Sequence, residues 1–174
     1  MELYDYQKSN LRQICQMFKT HRKICYQLAT SGGKTFTFSH LTKFWIERYN
    51  CKALILCHRE ELVHQAIESL NQMGITCESV MPRNKTLKHN SMVYVGMIET
   101  CHRRLIKNPY FFKKVGLVIA DEAHVQVFSK VFDNFPEAKI LGVTATPAVM
   151  KRIKFFKCKF CKNDYEEQIE CCDK

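Results

Sequence analysis

The chain has 174 residues, 46% hydrophobic and 25% charged, with 6 Gly and 4 Pro. That length fits one domain with a substantial core, and the composition excludes collagen-like, low-complexity and wholly disordered chains. Lys plus Arg outnumber Asp plus Glu by 27 to 17, a net charge of +10. The excess favours a polyanionic partner, with a solvated basic surface as the plain alternative.

No apolar run approaches the ~18 residues of a membrane span. The opening MELYDYQKSN has no apolar stretch of the kind a signal peptide carries. No membrane partner is expected. Of the ten cysteines, Cys25, Cys51, Cys57 and Cys77 lie in or beside apolar runs, where cysteine acts as a small hydrophobe. A reduced, intracellular protein of the cytoplasm is expected.

In chain order, Leu11, Ile14, Cys15 and Phe18 have the spacing of an amphipathic helix. A short strand over 23–28 follows, then a helix marked by Phe38, Leu41 and Trp45 after the Gly32-Gly33 turn. Residues 53–57 are continuously apolar, as in a parallel strand covered on both faces. Leu62, Ala66, Ile67, Leu70 and Met73 line one face of a second long helix, with Gly74 placed to end it. Strands are predicted over 75–80, 91–95, 115–120 and 138–143, with helical spacing at Val127, Phe128, Val131, Phe132 and Phe135. Such alternation predicts an α/β fold with a mostly parallel sheet and helices on both faces. After Pro147 the texture changes: 149–174 reads as a separate charged tail with no clear strand, leaving 1–148 as the domain.

Ala29-Thr-Ser-Gly-Gly-Lys-Thr35 sits between a predicted strand and a predicted helix. There, backbone N–H groups and the helix N-terminus suit phosphate. Gly33 allows close approach, Lys34 supplies an ammonium, and the Thr35 hydroxyl is a magnesium ligand. The full G-x-x-x-x-G-K-[ST] pattern is not met, because Leu28 takes the first glycine's place. The strand at 115–120 ends in Asp121-Glu-Ala-His124, with two carboxylates at a strand's carboxyl end. Asp121 suits the magnesium, and Glu122 an attacking water. A helix-capping acid accounts for one carboxylate, but not for the pair plus an upstream lysine loop.

With both motifs present, the chain resembles the first RecA-like lobe of a superfamily 2 DEAD/DEAH-box helicase, of the group that includes the Res subunits of type III restriction enzymes. The resemblance covers about residues 3 to 147. Leu3-Tyr-Asp-Tyr-Gln7 is similar to the family's L-x-x-Y-Q motif, which implies that Gln7 reads adenine and that the nucleotide is ATP. The 29–35 segment is then the Walker A loop, with Thr30, Ser31, Gly32, Gly33, Lys34 and Thr35 binding ATP. Asp121 to His124 is the DEAH form of Walker B. Lys34, Asp121 and Glu122 are implied as catalytic, and Thr35 and Asp121 as the Mg²⁺ ligands. Cys57-His-Arg-Glu-Glu-Leu62 is similar to the motif that lies on the nucleic-acid backbone, which implies contacts from His58 and Arg59. Residues 135–147, closing on Thr144-Ala-Thr-Pro147, resemble the threonine-rich motif; this implies that His124, Thr144 and Thr146 couple nucleotide state to strand binding.

Three departures stand out. Ser31 replaces a usual glycine. Met97 replaces a common threonine, leaving Thr100 as the polar nucleic-acid candidate. Family members also carry a second lobe with an arginine finger, whereas only 27 residues follow Pro147. The expectation is an ATP-binding, nucleic-acid-dependent ATPase lobe, acting on DNA in preference to RNA through backbone contacts. It would hydrolyse ATP poorly without a partner lobe. The alternatives are a non-catalytic nucleic-acid-binding module in which ATP is structural, or a truncated helicase fragment.

Two further clusters stay open at this level. His102-Arg-Arg104 with Lys107, Lys113 and Lys114 reads equally as a nucleic-acid contact or a solvated face. Cys158, Cys161, Cys171 and Cys172 have partial spacing for a structural Zn²⁺, against free thiols in a frayed tail.

Overall fold

The computed structural model describes residues 3–29, 32–84, 90–122, 127–145 and 154–157. Strands and helices alternate through most of the chain. In order, they are α1 (Asp5–Met17), β1 (Lys23–Gln27), α2 (Lys34–Tyr49), β2 (Lys52–Cys57), α3 (Glu60–Gln72) and β3 (Cys77–Val80). Then come β4 (Val93–Met97), α4 (Ile98–Lys107), β5 (Val115–Asp121), α5 (Val127–Phe132), β6 (Lys139–Thr144) and β7 (Lys154–Lys157). The sheet runs β3-β4-β2-β5-β6-β1-β7. Every neighbouring pair in it is parallel.

Parallel strands need crossovers, and the crossover helices cover both faces of the sheet. Along each strand, alternate side chains enter opposite cores. Ile24, Tyr26, Ile55, Val95, Ile119 and Leu141 pack with the apolar stripes of α1, α2 and α3. Cys25, Leu54, Leu56, Tyr94, Val118 and Ile140 pack with α4 and α5, where Phe128 and Phe132 are buried. The continuous apolar runs of β2 and β5 reflect this two-sided burial. Burial pushes the Cys25 and Cys101 thiols up to about 12, as fits cysteines that serve as small hydrophobes.

The helices begin and end where their sequences direct. Glu60 and Glu61 occupy the first turn of α3, at its positive end. Its C-terminus is closed by Gly74, at φ 74°, and by Ile75 N–H donating to the Leu70 carbonyl at 3.0 Å. Two elements depart from the sequence reading. α4 was not anticipated, although Ile98, Cys101 and Leu105 form a buried stripe, with Glu99 in the first turn and Arg104 and Lys107 in the last. Its one short stripe follows β4 without an intervening turn residue. β7 lies within the tail that was expected to hold no strand, and pairs with β1 at the sheet edge. Four residues, KFFK, are too few to show a period; the pairing comes from the main chain of β1. The rest of 149–174, including Cys158, Cys161, Cys171 and Cys172, falls outside the described residues.

Among the described residues, no helix is long and apolar enough to cross a membrane. One glycine fixes the spacing between sheet and helix. A Cβ on Gly96 of β4 would lie 2.5 Å from Val80 Cβ and 2.8 Å from both the Val80 carbonyl oxygen and Cys101 Sγ. Gly96→Ala is therefore expected to cost about 1–3 kcal/mol by overpacking. Urea unfolding would show this as a lower midpoint.

Candidate nucleotide and nucleic-acid site

The carboxyl ends of β1, β5 and β6 converge on one edge of the sheet, where ligands bind in open α/β folds. After β1, Leu28 turns inward and is 1% exposed. A Cβ on Gly32 would sit 2.6 Å from Leu28 Cγ. The leucine at the missing glycine's place is thus accommodated by the bare backbone of Gly32. Gly33, at φ 71°, is the N-cap of α2, a left-handed position that disfavours any side chain. Thr30 and Ser31 lie outside the described residues.

The start of α1 holds this loop from above. The Tyr6 hydroxyl donates to the Gly32 carbonyl at 3.2 Å. Gln7 is 2% exposed, and its Nε2 lies 2.6 Å from where a Cβ on Gly33 would stand. Gln7 Oε1 accepts the Tyr4 N–H at 3.0 Å, closing the first turn of α1. The sequence reading placed Gln7 near the nucleotide, but held no sign of the Tyr6 contact.

Lys34 opens α2, and its Nζ donates to Glu122 Oε1 at 2.9 Å, with side-chain exposures of 8% and 22%. The phosphate loop and the acidic motif, 88 positions apart, therefore meet directly. Asp121, the last residue of β5, is 4% exposed. Its carboxyl is pushed up to about 6, chiefly by burial and then by the Glu122 charge, against the opposing pull of Lys34 and the Glu122 N–H. That N–H donates to Asp121 Oδ1 at 3.1 Å. Glu122 holds φ at 57°, a conformation uncommon for glutamate, and this turns its carboxylate back toward Lys34. Thr35, Asp121 and Glu122 line one groove, which continues between α2 and α3 past Leu62 and Ser69.

One ammonium faces two carboxylates here, and the more deeply buried carboxylate is undercompensated. A hydroxyl and a buried carboxylate short of positive charge fit a hard divalent cation. Among the described residues, no group of three or more His, Cys, Asp or Glu side chains could hold a metal alone.

Thr144 ends β6 fully buried, and its carbonyl accepts the Leu28 N–H at 3.1 Å. The threonine-rich segment is thereby tied to the root of the phosphate loop. His124 and Thr146 lie outside the described residues. His58 is half-buried at the end of β2, and Arg59 is exposed as the extended N-cap residue of α3. Both stand on the same edge as Lys34 and Asp121.

Thr100 differs. It is 5% exposed, and its hydroxyl has no hydrogen-bond partner among the described residues. That burial does not favour contact with a strand. Thr100→Val is expected to leave the chain equally or slightly more stable, since it removes an uncompensated polar atom. Thermal melting compares the two proteins directly. In the basic cluster, Arg104 serves the fold: its guanidinium donates to the carbonyls of Met81 and Asn84 and lies 5.5 Å from the Phe111 ring centroid.

Residues 1–149 match the family described as type III restriction enzyme, res subunit. The chain belongs to that family. IRC3 of Saccharomyces cerevisiae, named as an ATP-dependent helicase, is 34% identical over 162 residues, which cover 83% of this chain and 23% of that protein. The irc3 protein of Schizosaccharomyces pombe is 27% identical, over 84% of this chain and 26% of its own. The chain thus spans about a quarter of these relatives. Among solved structures, the restriction-modification enzyme LlaGI, in complex with a DNA substrate mimic, matches at TM-score 0.72 and 21% identity, over 86% of this chain and 18% of that one. The UvsW helicase of bacteriophage T4 matches at TM-score 0.72 and 17% identity, over 90% and 60%. Family and fold together define a first RecA-like lobe of superfamily 2 helicase type.

Proposed function

We propose that this lobe binds ATP with Mg²⁺ and hydrolyses it in response to nucleic acid, as one half of a helicase-type motor. The observation that carries the reading is the contact of Lys34 with Glu122 beside the buried Asp121. Lys34 and the loop amides hold the β- and γ-phosphates, and the phosphate displaces Glu122 from the ammonium. Glu122, so released, orients the attacking water. Thr35 and Asp121 would hold the magnesium, which would supply neutralisation of the phosphate charge when bound with ATP. Gln7, already packed on Gly33, reads the adenine edge. The Thr144 carbonyl, bonded to the Leu28 N–H, carries nucleotide state toward His124, Thr146 and the strand-binding residues.

His58 and Arg59 contact a nucleic-acid backbone at the start of α3, where an exposed arginine and free helix amides suit phosphate. DNA is preferred to RNA, a reading supported by the DNA complexes among the fold neighbours. Efficient hydrolysis requires an arginine from a second lobe, a group worth about 10³–10⁵ in rate where it has been removed elsewhere. The test is single-turnover ATP hydrolysis, with and without single- and double-stranded DNA and RNA. Slow hydrolysis that nucleic acid accelerates is the expected result. A rate no greater than that of the Glu122→Gln protein under every condition would contradict the reading.

A further inference from the structure

The positive charge of the described residues is not concentrated at the nucleotide edge. Because all the strands are parallel, their amino ends share the opposite edge, together with the C-termini of the crossover helices. β1, β2 and β6 each begin with a lysine, Lys23, Lys52 and Lys139, and Lys114 directly precedes β5. These four strands are consecutive neighbours in the sheet, and the Lys52 N–H donates to the Lys114 carbonyl at 2.9 Å. At the usual strand spacing the four starts span about 14 Å.

Some of these cations are used within the fold. Lys139 Nζ donates to the His21 carbonyl at 3.3 Å, and Lys52 Nζ to the Tyr94 hydroxyl at 3.3 Å. Lys114 and four others are exposed around the same edge: Lys19 after α1, Arg48 in the last turn of α2, Lys107 ending α4, and Lys113 before β5. None of the five makes an ion pair among the described residues. The bland account is that cations here compensate helix C-termini. It covers Arg48 and Lys107 in their last turns, but not Lys113 and Lys114, which lie outside any helix.

We propose that this edge is a second nucleic-acid contact, independent of nucleotide and remote from Arg59. It takes the sugar-phosphate backbone without base reading. The five exposed cations, with the exposed Tyr110, whose ring centroid is 5.3 Å from Lys113 Nζ, present charge and an aromatic face together. Its role is to keep the lobe on the polymer when the ATP-coupled contact lets go. The placement of charge carries the inference whether or not ATP is hydrolysed.

The test uses the full chain without nucleotide, titrated into fluorescent single- and double-stranded DNA and RNA over a range of salt. A triple variant, Arg48→Glu, Lys107→Glu and Lys113→Glu, is compared with a matched control, Lys8→Glu, Arg12→Glu and Arg83→Glu. Melting temperature checks that each is folded. The expected result is a loss of at least about tenfold in affinity for the edge variant, with the salt slope falling by about 2. The control should change little, and ATP·Mg binding should be unaltered throughout. Equal losses in edge variant and control would overturn the placement. Competition by polyglutamate as strong as by DNA of equal charge would assign the edge to an acidic protein instead.

Discussion

Glu122→Gln is expected to lower nucleic-acid-stimulated ATP hydrolysis by roughly 10²–10⁴-fold, the usual worth of a positioned acid or base. ATP binding should not weaken with it. Lys34 is bonded to Glu122 at 2.9 Å, so phosphate must compete with a carboxylate for the same ammonium. A neutral amide at this position releases that ammonium, and ATP affinity should hold or rise. Rapid-quench hydrolysis together with equilibrium ATP binding separates the two effects. Parallel loss of both would instead mean that Glu122 holds the loop together.

Asp121→Asn is expected to act in opposite directions on stability and function. The Asp121 carboxyl, with an ordinary value of 3.8, is pushed up to about 6, principally by burial. The folded chain therefore holds this proton more tightly than the unfolded chain does. Below about pH 4 both states are protonated and the group is neutral toward folding. As pH rises through 6, the folded state alone bears the cost of burying the charge, and stability is lost. The asparagine variant escapes that cost while keeping an oxygen for the Glu122 N–H. It should be more stable at pH 7.5 by about 1–3 kcal/mol, with the difference closing toward pH 4. The same variant should lose Mg²⁺-dependent ATP hydrolysis. Thermal melting across pH, without nucleotide, measures the first effect. A variant less stable than its parent at neutral pH would show that Lys34 fully compensates Asp121.

These two carboxylates also show what sequence can and cannot disclose. Their meeting with Lys34 was legible, because a strand-loop-helix lysine and a strand-end acid both belong at the carboxyl edge of a parallel sheet. The inner strands were legible for a related reason: burial on two faces leaves continuous apolar runs, such as 53–57 in β2. The left-handed backbone of Glu122 was not legible, since nothing in Asp-Glu-Ala-His encodes φ, and the turn back to Lys34 depends on it. Nor was the exchange between Leu28 and Gly32, which looked like a broken motif and is a packed one. Thr100 read as a surviving polar contact, yet burial along α4 is set by Ile98, Cys101 and Leu105 around it. The basic lower edge is invisible in the linear chain, because Lys52, Lys114, Lys139 and Lys23 become neighbours only through strand order. β7 has no sequence signal at all beyond two adjacent phenylalanines.

Lys34 and Asp121 are proposed to form a site for ATP with magnesium. Calorimetric titration of the ligand-free chain with ATP, with and without Mg²⁺ and against Lys34→Ala, tests it most directly. The account predicts saturable binding at one site, strengthened by Mg²⁺ and weakened at least about 100-fold in Lys34→Ala, as fits the loss of a charge-assisted contact in a partly buried site. Binding of equal strength in the parent and in Lys34→Ala, or no binding by either, would contradict it.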